Sequence, residues 1–407
     1  MKTKYNLISL FSGAGGMDLG FKQSGFNIIY ANDFDIDAVE TYKKNIGENI
    51  VLGDICKISS KEIPNNPDVV IGGFPCQGFS IANTKRNMDD ERNFLYQELL
   101  RIIKDKQPKV FVAENVKGLL SMEQGNIIKM IIDDFKELGY NVTYKILNAV
   151  DYGVPQFRER VIIIGNRYDI KNIYPKPTHT DNTKTQQRLM PQKGLKSYIT
   201  TKEAIGYLSD VKISYNPIKL NGKTIYNHMA STNVSDKFWT RKHDVDQAEI
   251  CDYLKSWRNK SDWSTKKLDE HFGYKYTAGH WFRKDNNSGT IPSPEDWWEL
   301  KKLLKFDNKY DKLVTELEEK EIVFEQSLRI TNWNRPSDTI TATSPEIHIN
   351  KKRRLSAREC AILQTFPDDF IFTGSLSSMY RQIGNAVPVL LAKKIGACII
   401  KMLDLCV

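Results

Sequence analysis

Up to residue 170 the chain has no histidine and no tryptophan: all six histidines lie from His179 onward and all seven tryptophans between Trp239 and Trp333. The first part therefore holds no imidazole base for a Cys–His hydrolase. The break separates a histidine-free N-terminal unit from an aromatic-rich middle. Cysteine is scarce as well. The six (Cys56, Cys76, Cys251, Cys360, Cys398, Cys406) are scattered with no C-x-x-C pair, which argues against a disulfide framework and against a zinc site of the usual spacing. Five of them read as small buried hydrophobes, all as reduced thiols. No window reaches the roughly 18 apolar residues of a membrane span. The opening "MKTKYNLISLFSGAGG" has too short an apolar run for a signal peptide and no cleavage site, so a cytoplasmic protein without membrane contact is expected. Repeats and low-complexity tracts are absent. Acidic residues are the minority, 50 against 59 Lys and Arg, giving a net charge of +9. That balance permits a polyanion partner such as nucleic acid without requiring one.

At 407 residues, 40% hydrophobic and 27% charged, the chain has room for two or three domains. Short apolar runs recur in its first part: "NLISLF" (6–11), "NIIYAN" (27–32), "NIVLGD" (49–54), "DVVIGG" (68–73) and "KVFVAEN" (109–115). Each has the β-branched or aromatic character of a buried parallel strand. Amphipathic stretches such as "DIDAVETYKKN" and "FLYQELLRIIKDK" lie between them. Strand alternating with helix predicts an α/β, doubly wound sheet. "YNVTYKILNAV" and "ERVIIIGNR" predict a closing antiparallel pair.

Ligands of such sheets sit beyond the carboxyl ends of the strands. Five ends converge there with polar or reactive residues: the glycines after Phe11, Asp33, Asp54, the "FPCQ" tetrad and Glu114–Asn115. "FSGAGGMDLGF" follows the first run and opens a helix. Gly13, Gly15 and Gly16 allow close backbone approach, and a helix N-terminus offers free N–H groups to a negative group. Asp33 stands 20 residues after Gly13, where an acid often holds a ribose hydroxyl. The loop departs from G-x-G-x-x-G, and a tight turn alone would also use these glycines.

"GGFPCQGFS" sets Cys76 between a proline and a glutamine at the end of the fourth run. With no histidine nearby, its companions are Glu114 in "AENV" and Arg158 and Arg160 in "QFRERV". Taken alone, Glu114 and Arg160 also fit a structural ion pair. Thiolate, carboxyl and guanidinium together suit addition to an electron-poor ring: sulfur attacks, the acid serves a ring nitrogen, the arginine holds a ring carbonyl.

"LISLFSGAGGMDLGF", "GGFPCQGFS", "AENV", "QFRERV", "RRLSARECAILQTFPDDF" and "YRQIGNAVP" together resemble, in order, the motif set of DNA (cytosine-5)-methyltransferases of the bacterial and phage type. The resemblance covers roughly the first 165 and last 55 residues. It implies a Rossmann-like methyltransferase sheet with a second, smaller target-recognition domain inserted before the C-terminal helix: 1–168 with 375–407 binding S-adenosyl-L-methionine, 169–374 binding DNA. By position, Phe11, Gly13, Ala14, Gly15 and Gly16 would surround the methionine part, Asp33 the ribose, Phe34 the adenine face, and Asp54 and Ile55 its edge. Pro75, Leu95, Asn385 and Val387 match further cofactor-lining positions. Cys76 matches the nucleophile, Glu114 the residue at cytosine N3, Arg160 the one at O2, and Arg158 the first arginine of the same motif. The reaction implied is methyl transfer to carbon 5 of a cytosine flipped out of double-stranded DNA, leaving S-adenosyl-L-homocysteine and needing no metal. A monomer acting beside a separate restriction endonuclease is the expected setting. The polar stretch "SIANTKRNMDDERN" (80–93) would be the loop that closes over DNA. An RNA methyltransferase of the same superfamily, a non-catalytic DNA-binding regulator and a nucleotide-dependent oxidoreductase are the competing readings.

Between about Asn166 and Pro336 none of these motifs occurs. "WSTKKLDEHFGYKYTAGHWFRKD" suggests two short helices around a glycine. They form either a helix-turn-helix presenting Thr277, His280, Arg283 and Lys284, or a helical hairpin with Phe272, Trp281 and Phe282 in its core. "PSPEDWWELKKLLKFDNKYDKLVTELEEKEIVF" reads as one charged amphipathic helix. Lys351 to Arg354 offer phosphate contacts or a solvated helix start. The last apolar stretch is expected as a helix beside the first strand, returning Asn385 to the cofactor.

Overall fold

The computed structural model describes residues 5–75, 94–168, 170–181, 194–232, 247–273, 278–282, 291–315, 329–343 and 345–406. Seven strands, β1 Tyr5–Leu10, β2 Phe26–Asp33, β3 Ile50–Leu52, β4 Val69–Gly72, β5 Val110–Val116, β6 Asn141–Asn148 and β7 Glu159–Asn166, form one sheet in the order β3-β2-β1-β4-β5-β7-β6. The first five pair in parallel, and β7 runs antiparallel between β5 and β6. The five apolar runs and the closing pair thus form the strands expected of them. The winding direction reverses between β1 and β4, which opens a crevice at their carboxyl ends.

Alternate side chains of these strands feed two cores. On one face Leu7, Phe26, Ile71, Val112 and Ile164 meet Phe21 of helix α1 (Gly16–Ser24) and Leu391, Ile395 and Ile399 of the C-terminal helix (Val389–Asp404). On the other, Ile8, Leu10, Val70, Phe111 and Ile163 meet Leu99 and Ile103 of Phe94–Lys106 and Ile131 and Phe135 of Asn126–Glu137. Strands buried on both faces read as continuous apolar runs, which is why they were visible in the sequence. The C-terminal helix does lie against the first strand's core, and Tyr5 donates its hydroxyl to Asp404 at 2.7 Å.

The chain divides into two compact units elsewhere than the motif boundaries suggested. One comprises Met1–Ala230, Asn332–Pro345 and Ser356–Val407, the other Ser231–Thr331 and Glu346–Leu355. Buried polar groups staple the segments around 226–227 and 358–372 to each other, and Asn45 and Thr41 hold Ile371 and Thr373 against the sheet part. Arg358, fully buried, donates from Nε to Tyr226 O at 2.8 Å and from Nη1 to Pro367 O at 2.9 Å, and also reaches Phe370 O. Asn227 pairs reciprocally with the main chain of Phe372, at 3.0 and 2.9 Å.

In the second unit the long charged stretch is not one helix. It is helical over Pro294–Leu304, capped by Ser293, and stops where Lys305 turns left-handed at φ 56°. Phe306 and Tyr310 then turn into the core around Trp297, and a short helix follows at Asp311–Thr315. The glycine-centred segment has a helix at Thr265–Phe272 and, in its described second part, a 3₁₀ turn at Ala278–Phe282. Trp281 and Phe282 are buried there, the packing that the hairpin reading asks for. Thr277, Arg283 and Lys284 lie outside the described residues. Of the four basic residues 351–354, Lys351 and Lys352 are exposed while Arg353 is buried.

One buried carboxyl ties the first helices to the sheet. Asp18 accepts from Ser9 Oγ on β1 and from Tyr42 Oη on helix α2 (Ile36–Asn45), each at 2.9 Å. Burial pushes its pKa up to about 6 against the pull of these two bonds. The folded value lies above the unfolded 3.8, so the contribution is full below that pH and is lost as pH rises through about 6. Stability of the parent chain should fall by about 1 kcal/mol between pH 5 and pH 8 from this group. Asp18→Asn, which keeps an acceptor and the shape, should flatten that part of the profile. Urea melts at the two pH values check it; an unchanged slope in the variant would refute the assignment.

Candidate functional site

The carboxyl ends of β1, β2, β4 and β5 converge as the switch in winding requires. After β1, Phe11 and Gly13 adopt positive φ, 55° and 54°, and Gly15 caps α1 in the left-handed region at φ 85°. No side chain caps that helix, so its first N–H groups are left for another acceptor. Ala14 is buried, and Gly16 cannot carry a side chain: a Cβ there would lie 2.7 Å from Val387 O and 2.9 Å from the Ala386 Cβ. The glycine loop is therefore in contact with the turn after Asn385, although about 370 residues separate them in the chain. Asn385 is exposed at the end of the helix Leu376–Asn385, and Val387 is buried beneath it.

At the end of β2 the Asp33 carboxylate is gripped by the main chain. Oδ2 accepts from Gly13 N at 2.7 Å and Oδ1 from Asp35 N at 2.9 Å. Burial raises its pKa and these bonds oppose the rise. The next residue, Phe34, is 74% exposed. A phenyl ring so open beside a buried carboxylate and an uncapped helix start is a shelf for a flat apolar group. Asp54, exposed, caps the 3₁₀ turn Ile55–Lys57 by accepting from Cys56 N, and Ile55 is buried. Pro75 is exposed at the end of the described segment, and Leu95 is half-buried against the core.

Glu114 is the fifth residue of β5 and 8% exposed. Its Oε1 meets Arg160 Nε at 2.8 Å across the β5–β7 ladder. A Cβ on Gly73 would come within 3.0 Å of Glu114 Oε2, so the glycine at the end of β4 lets the carboxylate stand against the chain leading to Cys76. Asn115 fixes that chain by donating Nδ2 to Phe74 O at 3.0 Å. Cys76 itself and the 80–93 loop lie outside the described residues.

Arg158 does not stand with Glu114 and Arg160 at the surface of the site. It is 1% exposed, and its guanidinium donates to Ile340 O at 3.1 Å and to Gly384 O at 2.7 Å. Burial, with Arg160 adding to it, pushes its pKa well below the ordinary arginine value. It is a strut between two main-chain segments. Sequence reasoning also missed its neighbours. Gln156 accepts from Ile340 N at 3.0 Å and donates to Gln364 Oε1 at 3.2 Å. Gln364 in turn donates to Ile383 O at 2.7 Å. The paired glutamines in "QFRER" and "ILQTF" were the available signal: an amide flanked by apolar residues is a candidate for buried backbone bonding.

A fixed carboxylate, an exposed ring and an uncapped helix start fit an adenosyl amino acid. The Glu114–Arg160 pair beside the end of β4 fits a polar heterocycle. Among the described residues there is no His/Cys/Asp/Glu group that could hold a metal ion, and no helix is long and apolar enough to cross a membrane.

The chain is 34% identical over 396 residues to the Type II methyltransferase M.NgoFVII of Neisseria gonorrhoeae, covering 95% of this chain and 83% of that protein. It is 36% identical over 409 residues to M.FnuDI of Fusobacterium nucleatum, covering 95% and 91%. A crystal structure of a putative DNA modification methyltransferase encoded within an E. coli prophage matches with a TM-score of 0.59 at 22% identity, over 98% of this chain and all of that one. S. pombe Dnmt2 matches at 0.54 and 15%, over 98% and 99%. These two distant structures speak for the fold alone. The family description that matches residues 5–401 is "C-5 cytosine-specific DNA methylase". The chain belongs to the C-5 cytosine-specific DNA methylase family and is a DNA cytosine-5 methyltransferase.

Proposed function

We propose that the chain methylates carbon 5 of a cytosine flipped out of duplex DNA, through a transient bond from Cys76 to ring carbon 6. The observation that carries this reading is the 2.8 Å Glu114–Arg160 pair set against Gly73, three residues before the thiol. Carbon 5 of cytosine is a weak nucleophile until something adds at carbon 6. Sulfur is soft enough to add and to leave again. Glu114 serves N3, stabilising the enamine formed on addition, and Arg160 holds O2 and keeps Glu114 in place. Carbon 5 then takes a methyl group, loses its proton, and expels Cys76 to restore the ring. A base inside a duplex cannot present its face to sulfur, so flipping precedes addition.

The cofactor in this reading is S-adenosyl-L-methionine, which supplies an electrophilic methyl group when bound. The uncapped start of α1, with Phe11 to Gly16, would take the amino acid part. Asp33 would take the ribose, Phe34 the adenine face, Asp54 and Ile55 its edge, and Pro75, Leu95, Asn385 and Val387 the remaining wall. Arg158 acts at a distance by holding Gly384, next to Asn385. We assign DNA-sequence recognition to the second compact unit, whose Ser231–Thr331 part holds none of the shared motifs, and a protective role beside a restriction endonuclease, in keeping with the Type II designation of the relatives.

Cys76→Ser should abolish transfer without shifting the melting temperature. Duplex DNA containing 5-fluorocytosine should trap the parent chain in a denaturant-resistant complex, because fluorine cannot leave as a proton does. Turnover by the variant, or no trapped species under active conditions, would overturn the addition mechanism. Glu114→Gln should lower kcat about 10²–10⁴-fold with cofactor affinity little changed; a loss confined to cofactor binding would contradict its place at N3. Bisulfite sequencing of a host expressing the chain should show cytosine methylation at one recurring sequence. Methylation without sequence context would remove the restriction-modification reading.

A further inference from the structure

Arg381 belongs to none of the roles assigned above. It lies one turn before Asn385 in the helix Leu376–Asn385, and its guanidinium leaves that helix toward α2. Nε and Nη2 both donate to Asp35 Oδ2, at 3.2 and 2.8 Å. The other oxygen of Asp35 caps α2 by accepting from Asp37 N at 3.0 Å. The Asp35 main-chain N–H donates to Asp33 Oδ1. Asp35 is therefore fixed at three points, and Phe34, the exposed ring, is held between two residues of that array.

The body of α2, from its first turn at Asp37 to Asn45, is anchored independently of Arg381. Thr373 N donates to Thr41 Oγ1 at 2.9 Å, and Thr373 Oγ1 donates to Asp37 O at 2.9 Å. Asn45 exchanges hydrogen bonds with the main chain of Ile371, at 2.8 and 2.7 Å. Loss of Arg381 leaves these bonds in place. What it releases is the Asp35 side chain at the N-cap, just after Asp33 and Phe34. The Arg381 side chain is 50% exposed and that of Asp35 21%, so the pair is open enough to feel salt and covered enough to matter.

We propose that Arg381 is a positioning residue for S-adenosyl-L-methionine: its ion pair with Asp35 locks the Asp33–Phe34 shelf to the helix that carries Asn385, so that both walls of the cofactor site are set before the ligand arrives. The inference rests on the reading of this rim as the cofactor site. It assigns Arg381 to cofactor affinity and not to methyl transfer. Preorganisation of this kind lowers the ordering cost of binding.

The test is calorimetric titration of S-adenosyl-L-methionine into the full chain, with steady-state kinetics alongside. Arg381→Ala should raise Kd and the cofactor KM about three- to tenfold. The kcat at saturating cofactor and DNA should stay within about twofold. Asp35→Asn, which keeps the helix cap and the donor to Asp33, should act in the same direction. The double variant should bind no worse than Arg381→Ala alone, because both changes remove one interaction. Raising salt from 50 to 500 mM should weaken binding more in the parent than in Arg381→Ala. Arg381→Lys should recover part of the affinity. An unchanged Kd in Arg381→Ala, additive effects in the double variant, or a loss that appears in kcat would each overturn the proposal while leaving the cofactor reading intact. Failure of the parent chain itself to bind would overturn both.

Discussion

A buried guanidinium hydrogen-bonded to main-chain carbonyls sets the geometry of this protein. Arg158 spends its donors on the carbonyls of Ile340 and Gly384, and Gln156 and Gln364 extend the same network to Leu363 and Ile383. Four stretches far apart in sequence, around residues 156, 340, 364 and 384, are joined without a single exposed contact among these bonds. In a low-dielectric interior such bonds are strong when complete, and leaving any of them unmade is costly. The turn that bears Asn385 is thus held from below, and the strand that carries Arg160 begins at Glu159, directly after the strut. Methyl donor and target ring have to meet within a fraction of an ångström. A polar frame shared by the two halves of the site supplies that precision better than apolar packing, which tolerates sliding.

Much of this was legible in the residues. Strands buried on both faces must be apolar throughout, so β1, β2, β4 and β5 showed themselves as runs. The polar or glycine residue at each end marked the rim. Glu114, Arg160 and the glycine loop lie where their surroundings suggested. Arg158 was misjudged because a charged residue two positions from Arg160 looks like a second member of the site, and only the approach of residues 340 and 384 reveals what surrounds it. The compact units differ from the motif boundaries for a related reason. Arg358 and Asn227 bind main-chain atoms, and main-chain partners leave no mark on the sequence. In the second unit the amphipathic pattern of 292–324 runs past Lys305, yet the chain turns there to fold Phe306 and Tyr310 onto Trp297. Tertiary packing overrode periodicity.

The carboxylates near the glycine loop divide the work of charge. Asp18 is enclosed and bonded to hydroxyls, so its proton is a matter of folding. Asp33 is held by two main-chain N–H groups, each on a different oxygen. Asp35 is spent on the helix cap and Arg381. Three acids within eighteen positions of one another therefore face three different environments.

The contact between Tyr5 and Asp404 spans 399 positions. The helix that ends at Asp404 covers the first strand and follows directly on the turn that packs against Gly16. A chain emerging from the ribosome therefore exposes one apolar face of its central strand until Val389–Asp404 has been made. Closure of a loop that long is slow relative to local pairing. The pocket rim and the protective cover over β1 are completed in the same event, so a chain that has not reached that helix has neither a finished rim nor a finished core.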